Sequence, residues 1–316
     1  MHDENTLQMK LMSVTFAARD VNLYEFAATD TDELPPAAAG AHIDIHLPTG
    51  DIRQYSIVQS GDRLTRYVVG IKREETGRGG SRYIHDQLRV GSIVRVGRPR
   101  NTFALDHEAP YSVLIAGGIG ITPIWCMAQH LDATGRDWTL HYACRSRQDA
   151  VFFRSIRASS RASLHFDDEH NGRHINIRSI IEQTPQHAHI YCCGPTPMLD
   201  TFEEATRDWP KHQVHREFFS AAPPPGSDHA FSVTLARTGR TLQIPAGRSI
   251  LDVLRAENID VPYSCESGIC GCCETRVLAG IPDHRDMVLT EAERSSNRTA
   301  MICCAGSKSE TLVLDL

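Results

Sequence analysis

The chain has 316 residues, 41% of them hydrophobic and 23% charged, with 33 Lys and Arg against 39 Asp and Glu for a net charge of −6. This length allows two or three domains of a soluble globular protein, and the acidic balance argues against a nucleic-acid binder. No apolar run reaches bilayer-spanning length and the start, MHDENTLQMK, lacks a signal-peptide core, so a cytoplasmic protein without a membrane partner is expected. Ten cysteines in such a compartment point to metal or redox chemistry before disulfides.

From residue 10 to 99 the chain reads as short alternating segments broken by turns. LMSVTFAARD, NLYEFAATD, AHIDIHLP, IRQYSIV, RYVVGIK and SIVRVG each favour a strand, and PTGD and SGD supply turns. Six strands without a long helix between them predict an antiparallel six-stranded β-barrel. Within it stands Arg53-Gln54-Tyr55-Ser56. Arginine can neutralise a phosphate, tyrosine can lie on a flat ring, and a serine hydroxyl can bond near a reactive ring nitrogen. Taken by itself, the same pattern describes a buried strand tyrosine. Further on, Arg78-Gly79-Gly80-Ser81 precedes the helical stretch RYIHDQL and offers backbone N–H groups and a hydroxyl suited to an anion.

The pattern changes at Tyr111. YSVLIAGGIGITPIWCMAQHL is an apolar strand, a glycine turn and a helix, and TLHYACRS, SLHFDD and HAHIYCCGP follow as strands with helical stretches between them. This predicts a parallel α/β sheet. Gly117-Gly118-Ile119-Gly120-Ile121-Thr122-Pro123 is not the G-x-G-x-x-G fingerprint, but it still sets backbone amides and a helix start at a strand end. Cys193-Gly194-Pro195-Thr196-Pro197-Met198 closes a later strand at the same edge. The histidines show no metal-binding spacing.

AAPPPGSD, residues 221–228, is the clearest boundary in the chain and is expected to be semi-extended. Beyond it FSVTLARTGRTLQIP predicts a hairpin, SILDVLRAEN a helix and TLVLDL a terminal strand. Between them CESGICGCC places Cys265, Cys270 and Cys273 in C-x4-C-x2-C spacing, that of plant-type [2Fe–2S] ligation, whose fourth cysteine comes from far along the chain. Cys303 or Cys304 can supply it. Gly268 and Gly271 lie between the ligands, where glycine lets N–H groups turn toward sulfur. A zinc site needs paired knuckles, and only one C-x2-C is present, while inert core cysteines do not explain such crowding. Cys272 is set aside as a non-ligand.

CESGICGCC with ICCAGSKSETLVLDL resembles the ferredoxin domain that closes the phthalate dioxygenase reductase family. The Arg53–Ser56 and Arg78–Ser81 motifs, GIKRE and PRNTF are similar to its flavin barrel, and GGIGITP, YACRS and CGPTPM to its pyridine-nucleotide domain. The resemblance implies a flavin barrel over 1–105, an NAD-binding domain over 106–222, a linker over 223–229 and a β-grasp ferredoxin (α+β) over 230–316. It implies FMN held by Arg53, Gln54, Tyr55, Ser56, Gly70, Ile71, Lys72, Gly79, Gly80, Ser81, Thr122 and Phe219. It implies NADH against Gly118, Gly120, Arg145, Ser146, Cys193, Gly194, Pro195 and Met198. Ser56, Thr122 and Cys193 fall nearest the reacting atoms. The length of the tail favours Cys303 as fourth ligand, although Ala-Gly-Ser after the cysteine pair departs from the family pattern. The implied activity is hydride transfer from NADH to the flavin, then single-electron transfer through the cluster to a Rieske-type oxygenase, as in aromatic dioxygenation or O-demethylation. A reductase for another oxygenase or demethylase class, a redox sensor without steady turnover and a flavin-free zinc protein are the alternatives.

Overall fold

A computed structural model of the chain describes residues 6–77, 79–219 and 227–316. These fall into two compact units, Met1–Phe219 and Ser220–Leu316. The proline-rich stretch at 221–226 and Arg78 lie outside the described residues.

The six expected strands are present as β1 (Thr6–Ala18), β2 (Val21–Ala28), β3 (His42–His46), β4 (Ile52–Ser56), β5 (Tyr67–Lys72) and β6 (Ile93–Gly97). They form one antiparallel sheet in the order β4-β3-β6-β1-β2-β5. A bridge between Ile57 and Val69 joins its two ends. Period-two alternation sends Met9, Leu11, Tyr24, Phe26, Ile43, Ile45, Val69, Ile71, Val94 and Val96 into a common core. Helix α1 (Gly80–Gln87) follows β5 and closes over this core with Ile84.

The second half of the first unit is a five-stranded parallel sheet of β7 (Ser112–Gly117), β8 (Trp138–Cys144), β9 (Ala162–Phe166), β10 (His189–Cys193) and β11 (Val214–Glu217). Its order is β11-β10-β7-β8-β9. Every residue of β7 is buried because helices cover both faces. Leu114 and Ala116 pack with α2 (Ile121–Ala133) and α3 (Phe153–Ala158). Val113 and Ile115 pack with α4 (Ile177–Glu182) and α5 (Thr196–Ala205). Ala18, Val21, Ala39 and Phe103 of the barrel half share the α2 side of this core, so the two halves are joined by buried apolar surface. Succession along the sheet reverses between β7 and β10. That reversal is the switch point at whose carboxyl edge open α/β sheets bind ligands.

The second unit carries β12 (Phe231–Leu235) and β13 (Thr241–Ile244), the expected hairpin, with Gly239 at φ 71 in its turn. The expected helix is α6 (Ile250–Ala256), started by a capping box between Ser249 and Asp252. β14 (Glu274–Ala279), β15 (Pro282–Asp283), α7 (Glu291–Ser296), β16 (Thr299–Met301), β17 (Gly306–Ser307) and the terminal β18 (Thr311–Leu314) complete the unit. The main sheet runs β13-β12-β18-β14-β16, with β18 parallel to β12, and α6 packs on it through Ile250, Leu251 and Leu254. Among the described residues no helix is long and apolar enough to cross a membrane.

Candidate flavin, nucleotide and iron–sulfur sites

The two flavin motifs, 25 residues apart in the chain, meet in space. Arg53 folds back so that Nη1 donates to the Ile52 carbonyl (2.9 Å) and Nη2 pairs with Asp51 (3.1 Å). Its side chain then lies directly on Gly80, where an added Cβ would meet Cγ at 2.7 Å and Cδ at 2.9 Å. Gly79, at φ 86, turns the chain into α1, and the Ser81 hydroxyl accepts the Glu74 N–H (3.0 Å). The first N–H groups of α1 and the Arg53 side chain therefore share one corner, an arrangement that suits a phosphate. Tyr55 is partly buried and burial pushes its phenol above the ordinary value. Gln54 is hydrogen-bonded to His42 (3.2 Å), and Ser56 is buried at the end of β4. Ile71 points into the barrel core, so only its backbone is available to a flavin; Lys72 pairs with Glu74 at 2.6 Å.

Gly70 of β5 lies against Thr122 of α2: an added Cβ would stand 2.7 Å from the threonine methyl. Thr122 is buried and its hydroxyl donates to the Ile119 carbonyl (3.0 Å). This close approach sets the flavin strand beside the GGIGITP turn. The turn in turn packs on CGPTPM. A Cβ on Gly117 would meet Pro195 at 2.7 Å and Met198 at 2.8 Å, one on Gly120 would overlap the Cys193 carbonyl, and one on Gly194 would meet Met198 at 2.6 Å. Three of these glycines thus exist for chain-on-chain packing. Gly118 differs, with φ 53 and open space where its Cβ would be, and is the position where a ligand can approach backbone.

Cys193 is fully buried, and its Sγ lies 3.9 Å from Glu217 Oε2 across the β10–β11 pairing. Burial pushes the Glu217 carboxyl up to about 8, against a lowering from the Cys193 contact. Glu217 as a residue is partly exposed, but its carboxyl end sits beside a thiol with no exposure, and the upward direction follows from that end. The sequence reading passed over Glu217; its place two residues before Phe219 was the available signal. Phe219 is 40% exposed, while Phe218 packs into the sheet core with the Arg216 guanidinium 5.5 Å over its ring. Cys192, on the opposite face from Cys193, is ordinary core.

At the other end of this edge the Ser146 hydroxyl is engaged by Asp149 (2.7 Å) and Arg19 (2.8 Å). Arg147 is bound through two nitrogens by Glu169. The Arg145 side chain is exposed.

In the second unit Cys265, Cys270, Cys273 and Cys303 are all buried. The Cys265 thiol is hydrogen-bonded to those of Cys270 and Cys303, and the Cys303 thiol also to Cys273 and Cys304. These contacts hold Cys303 well below the usual thiol range. Gly268 and Gly271 both have φ near 70, and the N–H after each turns to sulfur. Ile269 donates to Cys265 Sγ (3.5 Å) and Cys272 to Cys270 Sγ (3.5 Å), while Ser267 also reaches Cys265 (3.3 Å). The Gly268 N–H reaches Cys303. Cys304 Sγ instead donates to the Met301 carbonyl (3.5 Å) and packs on the Gly268 backbone, and Cys272 is part-exposed. Four buried thiols ringed by inward N–H groups form a donor set that fits a [2Fe–2S] cluster. Among the described residues no group of three or more His, Cys, Asp or Glu is arranged to hold a metal ion. The C-x4-C-x2-C spacing, with a single C-x2-C and no second knuckle, favours a two-iron cluster over zinc.

A barrel with a phosphate corner, a parallel sheet with a ligand edge and a cysteine loop together define an oxidoreductase of three modules. The comparisons agree module by module. An oxidoreductase FAD-binding domain matches residues 8–105, an oxidoreductase NAD-binding domain 114–204, and a 2Fe-2S iron–sulfur cluster binding domain 233–307. The phenoxybenzoate dioxygenase subunit beta of Ectopseudomonas oleovorans is 47% identical over 98% of this chain and 97% of its own. The tetrachlorobenzoquinone reductase of Sphingobium chlorophenolicum is 44% identical over 99% and 98%. The solved structure of phthalate dioxygenase reductase is 40% identical and superposes with a TM-score of 0.75 over 98% of each chain. The chain belongs to the phthalate dioxygenase reductase family, as a reductase with flavin-, NAD- and [2Fe–2S]-binding domains.

Proposed function

We propose that the chain is the cytoplasmic reductase component of a Rieske-type oxygenase, using NADH, FMN and one [2Fe–2S] cluster. The observation that carries this is the contact of Gly70 with Thr122, which brings the flavin strand and the nicotinamide turn to one place inside a single compact unit. A bound flavin takes the two electrons of a hydride together, and a cluster passes them on one at a time.

The chain's own residues have separable tasks. Arg53, Gly79, Gly80 and Ser81 bind the flavin phosphate, and Tyr55 and Phe219 offer faces to its ring. Ser56 and Thr122 line the reacting side. Gly118 would admit the nucleotide to the backbone, and Cys193, with Glu217 beside it, would lie near the nicotinamide. With its carboxyl raised to about 8, Glu217 holds a proton at neutral pH and leaves that pocket without a buried negative charge. Glu169 occupies Arg147, so of the pair Arg145 is the guanidinium left to a nucleotide phosphate; the family resemblance is what favours NADH. Among the described residues, none beyond the phosphate corner points to a second nucleotide half on the flavin, which supports the FMN reading. Cys265, Cys270, Cys273 and Cys303 hold the cluster.

An oxygenase as acceptor is supported by the relatives, several of which are reductase subunits of oxygenases. The quinone reductase among them marks direct reduction of a small acceptor as the competing reading. Purified protein should yield FMN on extraction, with iron and acid-labile sulfide in equal amounts, and should reduce a Rieske oxygenase faster than a quinone. FAD in the extract, or quinone reduction that outruns oxygenase reduction, overturns the corresponding part of the assignment.

A further inference from the structure

Three buried polar atoms without hydrogen-bond partners lie together in the second unit: both ring nitrogens of His284 and Oδ1 of Asp286. Buried polar groups are nearly always paired, so such a concentration calls for a reason. The Asp286 side chain is 0% exposed and that of His284 7%, with Nδ1 4.0 Å from Oδ1. The other oxygen, Oδ2, accepts the N–H groups of Val288 (3.1 Å) and Leu289 (2.8 Å) and has Arg294 of α7 at 3.7 Å.

Asp286 adjoins the cysteine loop through its backbone and Cβ. The Met287 N–H donates to the Gly268 carbonyl (2.8 Å), and the Asp286 Cα stands 3.1 Å from where a Gly268 Cβ would be. Gly268 in turn directs its N–H to the sulfur of Cys303. The chain of contact therefore runs from Asp286 through the Gly268 turn to a ligand sulfur. A charge sealed from water acts on its neighbours with little screening, and net charge around a cluster is one determinant of its potential.

We propose that Asp286 is a positioning residue for the cluster: its segment supports the Gly268 turn, and its buried carboxylate places a fixed negative charge that lowers the cluster's reduction potential. The proposal rests on the cluster reading of the four cysteines. His284 lies over Oδ1 with Nδ1 4.0 Å away, beyond hydrogen-bond distance, and Arg294 offsets part of the charge at Oδ2.

The test uses the full-length holoprotein, with iron, sulfide and flavin assayed and the midpoint potentials of cluster and flavin measured by redox titration. In Asp286→Asn the side-chain oxygen can still accept from Val288 and Leu289. Cluster content is therefore retained and the cluster potential rises, changing its reduced-to-oxidised ratio at fixed potential about tenfold, or ~59 mV for one electron. Arg294→Gln removes the offsetting cation and shifts the cluster potential the other way. The flavin potential stays put in both. A cluster-replete Asp286→Asn protein with an unchanged or lowered potential overturns the proposal. If that variant loses its cluster, Arg294→Gln decides: a negative shift supports the role, and no shift or a positive one defeats it. Wild-type protein without iron and sulfide instead overturns the cluster reading itself.

Discussion

At the cysteine loop the proposed ligand atoms are side chains, those of Cys265, Cys270, Cys273 and Cys303, and the spacing of the first three is written in the sequence. At the flavin and nucleotide edge the decisive contacts run through backbone: Gly70 on Thr122, Gly120 on the Cys193 carbonyl, Gly80 under Arg53. The first kind of site tolerates change around its ligands but none at them. The second tolerates little change in shape and spreads its chemistry over many weak contacts. Substitutions that probe one kind should leave the other working.

The largest effect is expected from Cys265→Ser, which removes one thiol from a four-thiol set. Iron and sulfide should be lost entirely, while flavin content and NADH-driven reduction of a two-electron acceptor persist. Loss of flavin as well would show that the two regions are not separately specified.

A contrast between two glycines comes next. Gly120→Ala drives a Cβ into the Cys193 backbone and should destabilise the first unit by about 2 kcal/mol or more. Gly118→Ala meets no atom and faces only its φ of 53, a cost of about 1 kcal/mol. Thermal unfolding measures both; equal losses would mean that packing of the two turns is not what Gly120 serves.

Glu217→Gln gives a smaller, pH-dependent signature. In the native protein the carboxyl keeps its proton to about pH 8, whereas the unfolded chain releases it near the ordinary value of 4.5. The native state therefore holds the extra proton between these limits, and this residue's contribution to stability falls as pH rises through them. The melting temperature of Glu217→Gln relative to wild type should climb across that window. A constant difference would place Glu217 in water. Smallest of all, Cys272→Ser should leave the cluster's visible spectrum unchanged, since Cys272 is part-exposed and its N–H, which faces Cys270 Sγ, is kept in the variant.

How much was legible from sequence follows the same division. The six barrel strands show in the alternation of residues such as Met9, Leu11, Tyr24 and Phe26, and the ligand loop in its cysteine spacing. Strand β11 was missed because VHRE has one apolar residue in four; it is held by parallel pairing with β10, a tertiary cause. α7 was missed for a similar reason, being six polar residues started by a capping box at Thr290 and Glu293. Glu217 was not singled out because its carboxyl is raised by burial that only the tertiary fold creates, where β11 lies beside Cys193, 24 residues away. Gly120 and Gly194 were expected to face the nucleotide; only three dimensions show that they, with Gly117, also make room for one another's neighbours.

The separate specification of the two regions is tested most directly by anaerobic NADH titration of wild-type and Cys265→Ser protein, followed by visible absorbance. Wild type should bleach in both its flavin and its cluster contributions. The variant, lacking the cluster, should still bleach its flavin at the first equivalent of NADH. A folded, flavin-replete variant that NADH leaves unbleached would contradict the account.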